Sequence, residues 1–268
     1  MIYMPESFYE REVLNKELLI KRYNEKQLVS FLVYRWDSEK RALVTYFEDG
    51  IVGYIPEDEV CAERLKYNLN YFDYSIQANS IIGKTACALI TEINGNEVIL
   101  SRKKLQEVAT QTLRMYHTYN VLIKSVQAMG VFVDVGVGIS GFIHKTEISK
   151  TPFSSTEDFR KDFGLYRGHV IPAKLICLEE SIKLSFRREF RFPFLSRGDF
   201  VYGTVRNPIP DATGYFVELS PNDTAIVDAG EDLTLYYGSR ILVEIKSSET
   251  IYEANDYYTK HHVKYIAG

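Results

Sequence analysis

The sequence predicts an all-β fold of three tandem five-stranded barrels connected by short helices. Three observations carry that prediction. One hydrophobic pattern recurs three times along the 268 residues. Its recurring segments are short and alternate apolar with polar residues, and turn-forming residues, glycine above all, separate them. The most regular instance, "VLIKSVQAMGVFVDVGVGISGFIHKTEIS", runs from Val121 to Ser149.

Upstream, "RALVTYFEDGIVGYIPEDEV" places Gly50 and Gly53 88 positions before Gly138 and Gly141. Downstream, "TGYFVELSPNDTAIVDAGED" repeats Gly130, Phe132 and Val133 as Gly214, Phe216 and Val217, 84 positions later. A second anchor closes each copy. "IGKTACALITEINGNEVILSRK" from Ile82 parallels "RGHVIPAKLICLEESIKLSFR" from Arg167, with Leu100-Ser101 and Leu184-Ser185 again 84 apart. Gly238 opens the matching segment of the third copy. Five short strands per copy, with a variable middle between the third and fourth, is the order of an OB-type barrel.

Taken in order, residues 1–26 are expected to form a helical extension that packs Leu14, Leu18, Leu19 and Ile20 on a neighbour. Residues 27–100 form the first barrel. Residues 101–117 form a linker helix capped by Ser101, with Leu105, Val108, Leu113 and Met115 as its apolar face. The second barrel spans 118–190 and the third 191–268.

Gly136, Gly138 and Gly141 also spell the G-x-G-x-x-G of a dinucleotide site, which requires a strand before and a long helix after. Here alternating β-branched residues precede the motif and Pro152 follows soon after it. The first copy holds Glu48, Gly50 and Gly53 at these places, and the third holds Ser220, Asn222 and Ala225. Ser and Asn replace Gly in turns but not where a phosphate approaches the backbone. The glycines read as turn residues, and no cofactor is expected.

Composition narrows the class. Aromatic residues make up 13% of the chain, with 20 Tyr and 15 Phe, which suits strands and surfaces that stack on flat rings. A net charge of −4 argues against a protein coated in positive charge. Cys61, Cys87 and Cys177 are odd in number and widely spaced, the pattern of reduced thiols. The His residues lack partners at metal-ligand spacing, so no metal is expected. The charged N-terminal stretch does not read as a signal peptide, and no apolar run reaches membrane-spanning length. A cytoplasmic protein is the expectation. Asp73 and the Glu157-Asp158 pair fall in variable middles, where solvated faces are expected, and no catalytic residues are assigned.

In "GVFVDVG" the residues Val131, Val133 and Val135 must face the interior, which turns Phe132 and Asp134 outward. The next strand, "GFIHKTE", returns His144 beside Phe132. A ring beside an imidazole makes a platform for unpaired bases. Lys124, Lys145, Lys183 and Arg187 are placed to contact phosphates.

These residues resemble the S1 RNA-binding domain family. Met129-Gly130-Val131-Phe132-Val133 and Gly138-Ile139-Ser140-Gly141-Phe142-Ile143-His144 match the family pattern, with Met129 where an aromatic is usual. "IKLSFR" (Ile182–Arg187) resembles its closing strand. The resemblance implies single-stranded RNA as partner, with Phe132 and His144 as the RNA-facing pair. It implies a non-catalytic role in translation or RNA metabolism, with the ribosome or RNA-processing proteins as further partners. In the first copy the same two places hold Val44 and Pro56, so its stacking face reads as missing. In the third they hold Phe216, a secondary candidate, and Asp228. Residues 27–100 carry six Lys/Arg against eleven Asp/Glu, and 198–268 carry five against eleven, while 101–197 is basic. The alternative reading is an adaptor whose acidic outer barrels dock a ribosomal or RNA-processing partner.

Overall fold

The computed structural model describes residues 3–62, 80–152, 156–179, 181–189, 194–210, 214–228, 230, 233–253 and 256–268. Asp73 lies outside these, as do the side chains of Glu157 and Asp158. The chain is all-β and OB-like in three sheets, two of them closed five-stranded barrels. It divides into two compact units. One comprises 1–122, 133–141 and 177–182, and the other 123–132, 142–176 and 183–268.

The first sheet contains β1 (Leu28–Leu32), β2 (Arg35–Asp37), β3 (Ala42–Tyr46), β4 (Val52–Pro56), β5 (Thr85–Asn94) and β6 (Glu97–Ser101). Its order is β1-β5-β6-β4-β3-β2, so two strands consecutive in the chain lie at opposite edges. The residues between them explain this. Val33 N–H donates to Lys84 O at 3.0 Å, and Tyr34 N–H donates to Val44 O at 2.9 Å, each serving a different edge. The sheet therefore curls round on an opening strand broken in two, which makes six strands of the expected five. Val29, Phe31, Leu43, Ile55, Val98 and Leu100 fill its interior. Each fully buried side chain of this size contributes about 1.5–3 kcal/mol.

Two helices in this unit differ from expectation. Helix α1 (Lys16–Asn24) starts at Asn15, whose side chain accepts from Leu18 N–H. Leu14 and Leu19 are buried, but Leu18 and Ile20 are exposed. Leu14 lies before the helix, and the helical period turns residues 18 and 20 away from the face of Leu19. Helix α2 (Arg102–Thr112) is capped by Ser101, which accepts from Lys104 N–H at 2.9 Å. It buries Arg102, Leu105, Gln106 and Ala109, while Val108 and Met115 are exposed. Its buried stripe has correct helical spacing but is half polar, so hydrophobicity alone identifies Leu105 and misses Arg102 and Gln106.

The polar half of that stripe is fully engaged. Arg102 Nε donates to Glu6 Oε1 at 2.9 Å, Nη2 to Glu6 Oε2 at 2.6 Å, and Nη1 to Val60 O at 2.6 Å. Gln106 accepts from Ala62 N–H at 3.1 Å and donates to Val137 O at 3.2 Å.

The middle barrel closes in the order β10-β11-β9-β8-β7. Its strands are β7 (Thr118–Gln127), β8 (Gly130–Asp134), β9 (Ser140–His144), β10 (Val170–Cys177) and β11 (Lys183–Ser185), with helix α3 (Thr156–Phe163) before β10. Gly136 and Gly138 lie in the β8–β9 turn and donate to Asp134 Oδ1 at 2.9 and 3.1 Å. Gly138 has φ +79°, and a Cβ there would stand 2.2 Å from the Arg102 guanidinium. The chain itself fills the space a phosphate would need, and a strand follows in place of a helix.

The third barrel closes as β12-β13-β14-β16-β15. Its strands are β12 (Phe200–Pro208), β13 (Gly214–Ser220), β14 (Asp223–Asp228), β15 (Arg240–Glu253) and β16 (Asp256–Ala267). The last two run on as a long hairpin, paired out to Glu253 and Asp256. Among the described residues, no helix is long and apolar enough to cross a membrane.

Candidate nucleic-acid interface

The outer face of β8 and β9 is built by strict alternation. Val131, Val133 and Ile143 point into the barrel and are fully buried, so Phe132, Phe142 and His144 point outward and are half-buried. The three rings form a row. Phe132 and Phe142 lie 4.9 Å apart between centroids, tilted by 45°. Phe142 and His144 lie 6.2 Å apart in an edge-to-face arrangement.

Phe142 is thus the centre of the row, and the sequence reading passed over it. The signal was available, because Ile143 is as clearly an interior residue as Val133. Gly130 makes room for it: a Cβ there would meet Phe142 Cζ at 2.9 Å and Ile143 O at 2.1 Å.

His144 is held in one tautomer. Thr146 N–H reaches its Nδ1 at 3.3 Å, and the Thr146 hydroxyl lies 2.7 Å from the same atom. A backbone amide can only donate, so Nδ1 accepts and the neutral ring carries its proton on Nε2. The platform therefore ends in a hydrogen-bond donor.

Of the four expected phosphate contacts, three have the required exposure. Lys183 pairs in register with Phe142 across the parallel β9–β11 contact and is exposed. Lys145 is exposed in the turn after His144. Lys124 is exposed on β7, between the buried Ile123 and the half-buried Ser125. Arg187 departs from the expectation of a phosphate contact, because its side chain is 0% exposed. Its Nε donates to Thr146 O at 2.9 Å, Nη1 to Asn222 Oδ1 at 2.9 Å, and Nη2 to Glu147 Oε1 at 3.2 Å. The Asp256 carboxylate takes both Nη1 and Nη2. Burial would push the Asp256 carboxyl up, but hydrogen bonding and charge from Arg187 hold it below its ordinary value. Arg187 braces the turn that carries Thr146, and phosphate cannot reach it.

The other two sheets show what replaces the row. In the first, Val44 is buried, but it pairs in register with Tyr54, which stands where Phe142 stands. Lys40 Nζ lies 3.9 Å from the Tyr54 ring centroid. One ring of the row therefore survives in a sheet whose stacking face the sequence reading took as missing. In the third barrel, Phe216 is half-buried and pairs in register with Ile226, while Asp228 is exposed. Among the described residues, no group of three or more His, Cys, Asp or Glu side chains is arranged to hold a metal ion.

Comparison with known proteins bears on this geometry. The chain is 28% identical over 202 residues to small ribosomal subunit protein bS1 of Leuconostoc lactis, covering 68% of this chain and 43% of that protein. It is 26% identical over 212 residues to bS1 of Streptococcus pneumoniae (strain ATCC BAA-255 / R6), covering 72% and 48%. The chain spans about half the length of these curated relatives. Among solved structures, it resembles GSP13 from Bacillus subtilis at 22% identity, covering 33% of this chain and 66% of that one with a TM-score of 0.25. The model of the S1 RNA binding domain matches residues 118–188, the segment that holds Phe132, Phe142 and His144. The middle barrel of this chain is therefore matched by the S1 RNA-binding domain family over its whole length.

Proposed function

We propose that this chain binds single-stranded RNA on the outer wall of its middle barrel, in a translation or RNA-metabolism setting, without a catalytic step or a cofactor. The observation that carries the proposal is the row Phe132–Phe142–His144, three touching rings left half-buried beside the exposed Lys183. Flat rings on a strand face hold unpaired bases at about 1–3 kcal/mol each, regardless of sequence. The Nε2 proton of His144 adds a donor for a phosphate or base oxygen, and Lys124, Lys145 and Lys183 supply charge at the rim. The S1 family match and the bS1 relatives support the same reading.

Fluorescence anisotropy with a short unstructured RNA tests it. Phe142→Ala is expected to weaken binding roughly 5- to 150-fold, the equivalent of one lost stacking contact. Phe132→Ala with His144→Ala is expected to weaken it further. Unchanged affinity in both variants, with wild-type circular dichroism, overturns the assignment.

A further inference from the structure

Three adjacent strands of the third barrel bring rings and cations onto one outer face. In register, Phe200 lies opposite Glu244, and Glu244 opposite Lys264. Tyr202 lies opposite Leu242, and Thr204 opposite Arg240. Residues directly opposed across antiparallel strands share a face. Ile241, Val243 and Ile245 are buried in the barrel interior, so this second set points outward.

Phe200 is 62% exposed and Tyr202 is 55% exposed. The Arg240 guanidinium lies 5.2 Å from the Tyr202 ring centroid, within cation–π range. Lys246 Nζ lies 2.5 Å from Glu244 Oε1, which places that lysine on the same face and neutralises the carboxylate. The barrel carries five basic residues against eleven acidic ones over 198–268, yet three of the five, Arg240, Lys246 and Lys264, gather here. An acidic barrel has thus collected most of its positive charge beside two of its exposed strand rings.

We infer that this face is a second contact for single-stranded RNA, distinct from the wall of Phe216. The inference rests on the RNA-binding reading of the middle barrel. Two rings of aromatic size placed in water forgo a large burial term, and a planar base recovers it by stacking. Phe200 and Tyr202 are two residues apart on one strand, about 7 Å by strand rise, so they present successive stacking positions along an extended chain. Lys264 and Arg240 flank them at opposite ends and meet the phosphates. A negatively charged, ring-bearing strand satisfies both halves of the face together, which a basic protein segment would not.

The test uses the whole chain and oligouridylates of increasing length. In the wild type, affinity rises once the RNA outgrows the middle barrel, because the second contact becomes intramolecular. In Phe200→Ala/Tyr202→Ala, affinity for the shortest RNA stays unchanged while the gain with length falls at least tenfold. Lys264→Glu, a surface change, reduces the same gain. A length-dependent gain that survives both variants overturns the inference. So does nuclease-resistant retention of a protein that depends on Tyr202 while the gain stays intact. Failure of the middle-barrel reading has a different signature, namely that Phe142→Ala leaves the shortest RNA unaffected.

Discussion

Charge is buried deliberately in this chain, and single residues bear the consequences. Glu6 and Arg102 are both about nine-tenths buried or more and meet through two parallel hydrogen bonds, with Glu6 Oε1 also accepting from Cys87 N–H at 2.9 Å. Removing one partner leaves the other charge in a dry site, so Glu6→Ala is expected to cost about 3–5 kcal/mol in urea unfolding. Replacing both, Glu6→Leu with Arg102→Met, is expected to cost less than either single change, and a larger loss would show that the pair is more than a compensated charge. Nothing in the sequence singles out Glu6. Its partner lies 96 residues away, and a glutamate six residues from the N-terminus looks like any solvated charge. Arg187 was misread for the same reason. A basic residue after a closing strand looks like a phosphate contact until Asp256, 69 residues later, is seen to claim it.

Elements were legible where a period of two governs and illegible where polar groups are buried. Val131, Val133 and Val135 place themselves inside by alternation, and the same rule exposes Phe132 and Phe142 but fails at Asp134, which is buried and accepts from Glu6, Gly136 and Gly138 N–H. The face of α2 could not be read this way, since two of its four buried residues are Arg and Gln. The β8–β9 hairpin depends on one missing side chain. Gly130→Ala would drive a methyl to 2.1 Å from Ile143 O at a φ of +151°, so the strands must part and Phe142 must leave its seat. The variant is expected to lower both the melting temperature and RNA affinity, and preserved affinity would show that the Phe142 position is not critical. The β15–β16 hairpin has a pH signature. The Asp256 carboxyl is held below its ordinary value, so its ion pair contributes fully above the unfolded pKa and is lost as pH falls through the folded one. Burial pushes Glu218 the opposite way, so the total acid response mixes signs. Asp256→Asn isolates one part: its stability is expected to fall less than that of the wild type as pH drops below about 5.

Across the whole molecule, net charge is a poor guide and its distribution a better one. A total of −4 conceals a basic stretch over 101–197 between acidic neighbours, and the acidic third barrel itself conceals a basic face. That second segregation was not readable from counts, because it depends on which residues the register of β12, β15 and β16 brings to one side. Salt dependence measures it. Each phosphate neutralised on a single strand contributes about 0.7 to the slope of log affinity against log salt. A short RNA held by Lys124, Lys145 and Lys183 should therefore show a slope of about −2, and Lys183→Ala should reduce its magnitude by roughly 0.7. A longer RNA that also reaches Arg240 and Lys264 should be steeper by about 1 to 1.5, and Lys264→Ala should remove about half of that increment while leaving the short-RNA slope unchanged. Equal slopes for short and long RNA would mean that phosphates meet the middle barrel alone, since a stacking contact without charge neutralisation adds affinity but no salt dependence.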